Sequence, residues 1–248
     1  MTSGMRGGQL WIVAGFTSRG KSSLCTQIAL SAAAAQKRVL MYSMEMPPPD
    51  VVQRMLLSKA GVEKWTLRTQ ERGWPRLAMA FGPIAELPIW FDPREQPTAS
   101  EVRASAQRHK AGAGCELIVV DHLQRMARDP KAQGDDWLAV GQNVIALKSL
   151  ARRLNVPVLC ACQLNAEAED KKPSMAYLSR ARTIISTEAD VIAFLHPRDL
   201  REWNDRSVPR PSVDLLIEKQ RGGPTGDIHL IFERGLTTFY PVSEDADA

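Results

Sequence analysis

Short apolar runs recur along the chain, with amphipathic stretches between them. Leu10–Ala14, Val39–Ser43, Ile89–Phe91, Leu117–Asp121, Val156–Gln163 and Val191–Leu195 have the length and composition of buried strands. Helices are expected in the gaps. One runs over Ser23–Leu30, and a second from Asp50 to Ala60, started by Pro47–Pro49 and closed by Gly61. A third opens with a capping box at Thr98–Glu101 and runs to Lys110. Trp137, Val140, Val144, Leu147, Ala151 and Leu154 mark one face of a longer helix. Strands alternating with helices predict an α/β fold, with a mainly parallel central sheet flanked by helices.

The remaining stretches read differently. Val213–Glu218 and Ile228–Phe232 flank Arg221–Gly226 as a C-terminal β-hairpin, and Thr237–Tyr240 adds an edge strand. Residues 62–88 read as irregular and helical, with Trp65, Trp74, Leu77, Met79 and Phe81 in the core. Residues 165–187 lack apolar periodicity and read as a mobile loop, and Pro197–Pro211 as another loop. Nothing divides the chain, so a single core over residues 1–242 is expected, followed by a disordered acidic tail, 243–248.

Composition narrows the class. Hydrophobic residues make up 44% and charged residues 24% of the 248, a globular balance. No run approaches the roughly 18 apolar residues of a membrane span, and the N-terminus lacks a signal peptide's apolar centre. Net charge is +4, too small to indicate a nucleic-acid partner by itself. Cys25, Cys115, Cys160 and Cys162 have no zinc-site spacing and read as reduced core thiols. A cytoplasmic protein is expected.

The chemistry starts at Gly15-Phe16-Thr17-Ser18-Arg19-Gly20-Lys21-Ser22, which fits the phosphate-binding pattern G-x-x-x-x-G-K-[ST]. A buried strand precedes it and a helix follows, as that loop requires. Glycines allow a tight turn with N–H groups facing a phosphate, and the helix N-terminus adds positive potential there. Residues Thr17 to Ser23 are thus the candidate nucleotide cradle. Lys21 would reach the β- and γ-phosphates, and the Ser22 hydroxyl would hold Mg²⁺. Asp121 closes an apolar strand and is the second candidate Mg²⁺ group. Glu45 follows a buried strand, either as a solvated loop carboxylate or as the general base for an attacking water. Gln163 ends another strand, either satisfied locally or bonded to the γ-phosphate. Lys219 and Arg221 share one face of the hairpin. They read as a solvated basic pair or as charge offered to a phosphate held by a neighbouring subunit.

Taken in order, these segments resemble the DnaB-like replicative helicases with their RecA-like ATPase core. The resemblance rests on Gly7–Ala14 leading into the phosphate loop and on Tyr42-Ser43-Met44-Glu45-Met46-Pro47 with Arg54 beyond. It continues through Leu117–Gln124, through Asn155–Pro157 to Asn165, and through Lys219–Gly226. It implies a P-loop NTPase using ATP and Mg²⁺, with Glu45 as base, Gln163 as sensor, Arg54 near the nucleotide, and Arg221 with Lys219 acting in trans. It also implies a homo-oligomer, usually a hexameric ring, moving 5′ to 3′ on single-stranded DNA, with a primase or helicase loader as possible partner. Leu178–Arg182 lies where the family carries its DNA loop but departs from the usual acidic-and-glycine pattern. Arg180, Arg182, Lys171 and Lys172 are the candidate DNA contacts. The family's N-terminal domain and linker helix have no counterpart here, which reads as an excised core or a lone-domain relative and leaves ring formation open. The alternative is a RecA-like DNA-dependent ATPase of recombination or loading that does not unwind.

Overall fold

A computed structural model describes residues 2–69, 73–129, 136–165, 171–178 and 181–242. Among them lies one nine-stranded sheet. Its strands are β1 (Leu10–Gly15), β2 (Val39–Ser43), β3 (Ile89–Phe91), β4 (Leu117–Asp121), β5 (Val158–Gln163), β6 (Val191–Pro197), β7 (Ser212–Gln220), β8 (Gly226–Glu233) and β9 (Thr238–Pro241). The order is β3-β2-β4-β5-β1-β6-β7-β8-β9. From β3 to β6 every pairing is parallel, and from β6 to β9 every pairing is antiparallel. The strands expected from apolar runs are all present. Apart from the edge strand β3, they are buried at nearly all positions on both faces, which is why they read as continuous apolar segments rather than alternating ones.

Helices cover both faces. α1 (Lys21–Ala34) and α2 (Pro48–Ala60) pack on one, against Val13, Met41, Val119 and Leu159. α3 (Thr66–Thr69) and α4 (Gly73–Ala85) lie beyond α2. α5 (Ala99–Gly112), α6 (Asp136–Leu154) and α7 (Arg182–Glu188) cover the other face, over Ile12, Val120, Cys160 and Phe194. A short α8 (Leu200–Asn204) returns to the first face through Trp203. The capping box on α5 is formed by Thr98 and Glu101, and Gly61 closes α2 in the left-handed conformation. All four cysteines are buried. No helix among the described residues is long and apolar enough to cross a membrane.

Three expectations need correction. Trp65, Trp74, Met79 and Phe81 are exposed, at 56%, 56%, 79% and 62%, rather than in the core. α4 rests on α2 through Ala80 and the partly buried Leu77, so aliphatic residues, not aromatic ones, form its inward side. The stretch 165–187 is not all loop. It holds a 3₁₀ turn at Met175–Tyr177 and α7, whose inward residue Ile185 packs among Leu178, Ala181 and Ala189. Pro197–Pro211 likewise contains α8. Both helices are too short to show a helical period. The acidic tail, 243–248, lies outside the described residues.

The antiparallel extension is fastened to α1. Gln27 donates to Phe239 O at 2.8 Å and accepts from Phe239 N at 2.7 Å. Phe239 thereby sits over Gly20, where an added Cβ would come within 2.8 Å of its ring. With φ at +89°, Gly20 is held to glycine by both backbone and space.

Candidate active site

The carboxyl ends of β1, β2, β4 and β5 meet at one edge, the edge where open α/β sheets bind ligands. The loop from Gly15 turns there into α1, whose first amides point outward with no side-chain cap. Thr17, Ser18, Arg19, Gly20, Lys21, Ser22 and Ser23 line a cavity of about 570 Å³, joined by Glu45, Arg54 and Gln163. The site residues expected from β1, β2 and β5 and from α2 therefore share one cavity. Asp121 stands behind it at the end of β4, 2% exposed.

The polar groups are fixed by their neighbours. Lys21 Nζ donates to Phe16 O at 2.8 Å, inside its own loop. Gln163 Nε2 donates to Thr17 Oγ1 at 2.8 Å. The backbone of Gln163 is clamped by Gln124, which accepts from its N–H at 3.1 Å and donates to its carbonyl at 2.9 Å. The Ser22 hydroxyl lies close enough to the Asp121 carboxyl to influence its charge. Met44 N–H donates to Asp121 O at 2.8 Å and ties the turn carrying Glu45 to the end of β4.

Burial sets the electrostatics. It pushes the Asp121 carboxyl up, against the nearby Ser22 hydroxyl, which favours the charged form. It pulls Lys21 down, against the attraction of Asp121. Asp121 Oδ1 is buried and has no hydrogen-bond partner. An orphaned carboxylate oxygen beside a serine hydroxyl fits a hard divalent cation such as Mg²⁺, which takes oxygen ligands and keeps most of its water. Asp121, Glu45 and His122 also present ligand atoms within 4.8 Å of one another.

Lys219 and Arg221 lie elsewhere. β7 runs antiparallel to β6, with Gln220 opposite Val191, so the hairpin tip is level with the start of β1. Four strand residues separate that level, at Trp11, from Gly15, about 13 Å at 3.3 Å each. Lys219 Nζ donates to Ser186 O and, at 2.6 Å, to Ala189 O. Arg221 donates to Thr187 O and lies 3.5 Å from Asp190. Both cations thus rest on the carboxyl end of α7, remote from their own phosphate loop. Of the candidate DNA contacts, Lys171 and Arg182 are exposed, and Lys172 lies 3.6 Å from Asp227 on β8. Arg180 lies outside the described residues.

The sequence missed the far half of the cavity. Met46, Trp203, Asn204, Arg206, Phe232, Arg234 and Thr237 line it. Trp203 stacks on Phe232 at 5.4 Å, with the Arg234 guanidinium 5.1 Å from the Trp203 ring. Arg234 also donates to the carbonyls of Glu202, Trp203 and Val208, which fixes the α8 loop. These residues come from a polar stretch and a hairpin with no motif of their own. Gln124 was legible only as part of Asp121-His122-Leu123-Gln124.

A glycine-bounded loop that leads from a parallel strand into a helix, with a buried carboxylate ending a nearby strand, defines a P-loop nucleotide-binding core of RecA-like architecture. The family model described as "DnaB-like helicase C terminal domain" matches residues 1–241, and the chain belongs to that family. It is 32% identical over 246 residues to the replicative DNA helicase DnaB of Geobacillus stearothermophilus, covering 96% of this chain and 54% of that protein. Identity is also 32% to the replicative DNA helicase DnaC of Bacillus subtilis, over 248 residues, with the same coverage. The chain thus spans about half the length of the curated relatives it matches. Among solved structures, a DnaB-like replicative helicase, solved in a study of its interactions with primase, superposes with a TM-score of 0.87 at 22% identity, covering 97% of this chain and 59% of that one. A separately solved ATPase domain gives 0.85 at 23% identity, covering 95% and 85%. These two likenesses support the fold.

The orphaned oxygen of Asp121 leads to a test on stability. Asp121→Asn removes a buried charge and should stabilise the protein without nucleotide by about 1 kcal/mol. It should also remove the Mg²⁺-dependent rise in melting temperature expected with ATP in the parent. Thermal unfolding with ATP, with and without Mg²⁺, measures both. A variant that keeps the full Mg²⁺-dependent rise would contradict the assignment.

Proposed function

We propose that this chain is the ATP-hydrolysing motor domain of a DnaB-type replicative helicase, coupling hydrolysis at the junctions between copies to movement along single-stranded DNA. The observation that carries the reading is the convergence of the phosphate loop, Asp121, Glu45 and Gln163 at one sheet edge in a chain of this family.

The roles follow from position. The amides at the start of α1 and the Lys21 ammonium hold the triphosphate, and the phosphates replace Phe16 O as the partner of Lys21. Ser22 and Asp121 would hold Mg²⁺, which would supply positive charge to the phosphates. Glu45 takes a proton from water as the water oxygen bonds to the γ-phosphorus and the bond to the bridging oxygen breaks. ADP and phosphate leave. Gln163 bonds the γ-phosphate from the side of Thr17. Arg54 lines the same cavity and adds positive charge. Trp203, Arg206 and Arg234 stand where the rest of the nucleotide would lie. Arg221 and Lys219, held far from their own loop, supply charge to a nucleotide bound by a neighbouring copy.

DNA contact falls to Lys171, Lys172, Arg180 and Arg182, which would bind phosphates without reading bases. The described part of this segment touches both functional edges. Tyr177 packs against Phe16 of the phosphate loop with ring centroids 6.4 Å apart, and α7 ends on Lys219 and Arg221. Such contacts suit a device in which nucleotide state and DNA grip alter each other. A hexameric ring is the assembly that gives each hairpin a neighbour, and a primase or loader would dock on that assembly.

Turnover and strand separation test the reading. The protein should release phosphate from ATP at a rate per subunit that rises with protein concentration and with oligo-dT, and should open a forked duplex. Glu45→Gln should lower kcat about 100-fold or more while ATP still binds. Hydrolysis without duplex opening would favour the non-unwinding RecA-like ATPase. A concentration-independent rate in a sedimenting monomer would contradict action in trans.

The DNA contacts have their own readout. Lys171→Ala, Lys172→Ala and Arg182→Ala combined should weaken oligo-dT binding and flatten its log–log salt dependence by about 0.7 per lost phosphate contact. Fluorescence anisotropy across a salt series measures the slope, and an unchanged slope would remove these residues from the interface.

A further inference from the structure

Glu45 stands on a turn whose backbone is fixed but whose side chain is half in solvent. Met44 N–H is bonded to Asp121 O at 2.8 Å, and Ser43 Oγ donates to Met46 O at 2.6 Å. The Glu45 side chain itself is 49% exposed. A glutamate so placed has many rotamers, and only some point a carboxylate at the water that attacks the γ-phosphorus. Proton transfer falls steeply when the base is misplaced, so something must hold it.

The group at hand is His122. Its ring is buried, 5% exposed, directly after Asp121. Its Nδ1 lies 3.2 Å from Glu45 Oε2. The distance suits a hydrogen bond, but the approach is off the N–H direction, so Nδ1 is a buried nitrogen without an aligned partner. A buried donor left in this way is costly, and a small rotation of Glu45 brings its carboxylate into line. Catalytic hydrogen bonds commonly tighten in this manner once substrate is in place. A carboxylate only accepts, so the contact places the imidazole proton on Nδ1.

We propose that His122 is the positioning residue for Glu45: its buried Nδ1–H holds the carboxylate on the cavity side, where the attacking water must stand. The ring does not touch nucleotide and transfers no proton; it narrows where the base can be. The proposal rests on the reading of Glu45 as base.

Steady-state hydrolysis of Mg²⁺-ATP in the presence of oligo-dT tests it, with affinity for a fluorescent ADP analogue measured in parallel. His122→Leu should lower kcat about tenfold or more, with KM and analogue affinity unchanged. His122→Asn, whose amide nitrogen falls near the place of Nδ1, should recover activity to within about threefold of the parent, whereas His122→Gln, reaching toward the place of Nε2, should not. In a Glu45→Gln background, His122→Leu should cost nothing further, because the group it positions is gone. Parent-like kcat in His122→Leu, equal losses with and without Glu45, or better rescue by Gln than by Asn would overturn the proposal. Should His122→Leu fail to bind the analogue, the Asn and Gln pair decides alone. Full turnover by Glu45→Gln would overturn the base assignment beneath it, a result distinct from the others.

Discussion

Parallel strands in one sheet end at a common edge, and this polarity decides where each group of the site can stand. Gly15, Ser43, Asp121 and Gln163 are the last residues of four parallel strands. The phosphate loop, the turn bearing Glu45, the buried aspartate and the glutamine are therefore brought together by the register of the sheet. Six parallel strands dominate its architecture, and the first antiparallel strand, β7, reverses the logic. Its chain direction carries Lys219 and Arg221 toward the opposite edge, about 10 to 17 Å below the loop by strand rise. One sheet thus offers a phosphate cradle at one end and two cations at the other. On the proposed reading, a nucleotide in that cradle would meet the pair from another copy of the chain.

The second constraint is burial. Lys21 and Asp121 are charged groups at 8% and 2% exposure. Each is disfavoured by desolvation, and each is held by a polar neighbour, Phe16 O or Ser22, that a phosphate or a cation would relieve or replace. The surrounding core, including Ile12, Val120, Cys160 and Phe194, bears that cost. A site arranged in advance around charge gains electrostatic strength when an oppositely charged ligand arrives in a low-dielectric surrounding.

Much of this was legible before any coordinates. Strands buried on both faces announce themselves as apolar runs, and a polar residue at or just past the end of such a run stands at the cavity edge in three cases. That reading singled out Asp121 and Gln163 at strand ends and Glu45 just past one. It does not extend to side chains whose role depends on direction. Trp74, Met79 and Phe81 have core composition but point outward, because α4 turns Ala80 toward α2. Trp203, Arg206 and Arg234 reach the cavity from segments without periodicity, brought there by the packing of β8 and α8. α7 was missed because seven residues with few apolar positions carry no helical signal. The position of Arg221 relative to its own loop depends on strand direction, which a hairpin's sequence does not state.

Mixing two defective chains tests the division of the site between copies most directly. Lys21→Ala loses the cradle and Arg221→Ala loses the trans cation, so each alone should hydrolyse ATP about 10³-fold more slowly than the parent. In a one-to-one mixture, about a quarter of the junctions in a randomly mixed ring pair an intact Lys21 with an intact Arg221. Activity should return in proportion, provided that mass measurement shows both chains in one assembly. Mixed assemblies as inactive as either parent variant, or an Arg221→Ala chain as active as the unaltered protein, would contradict the account.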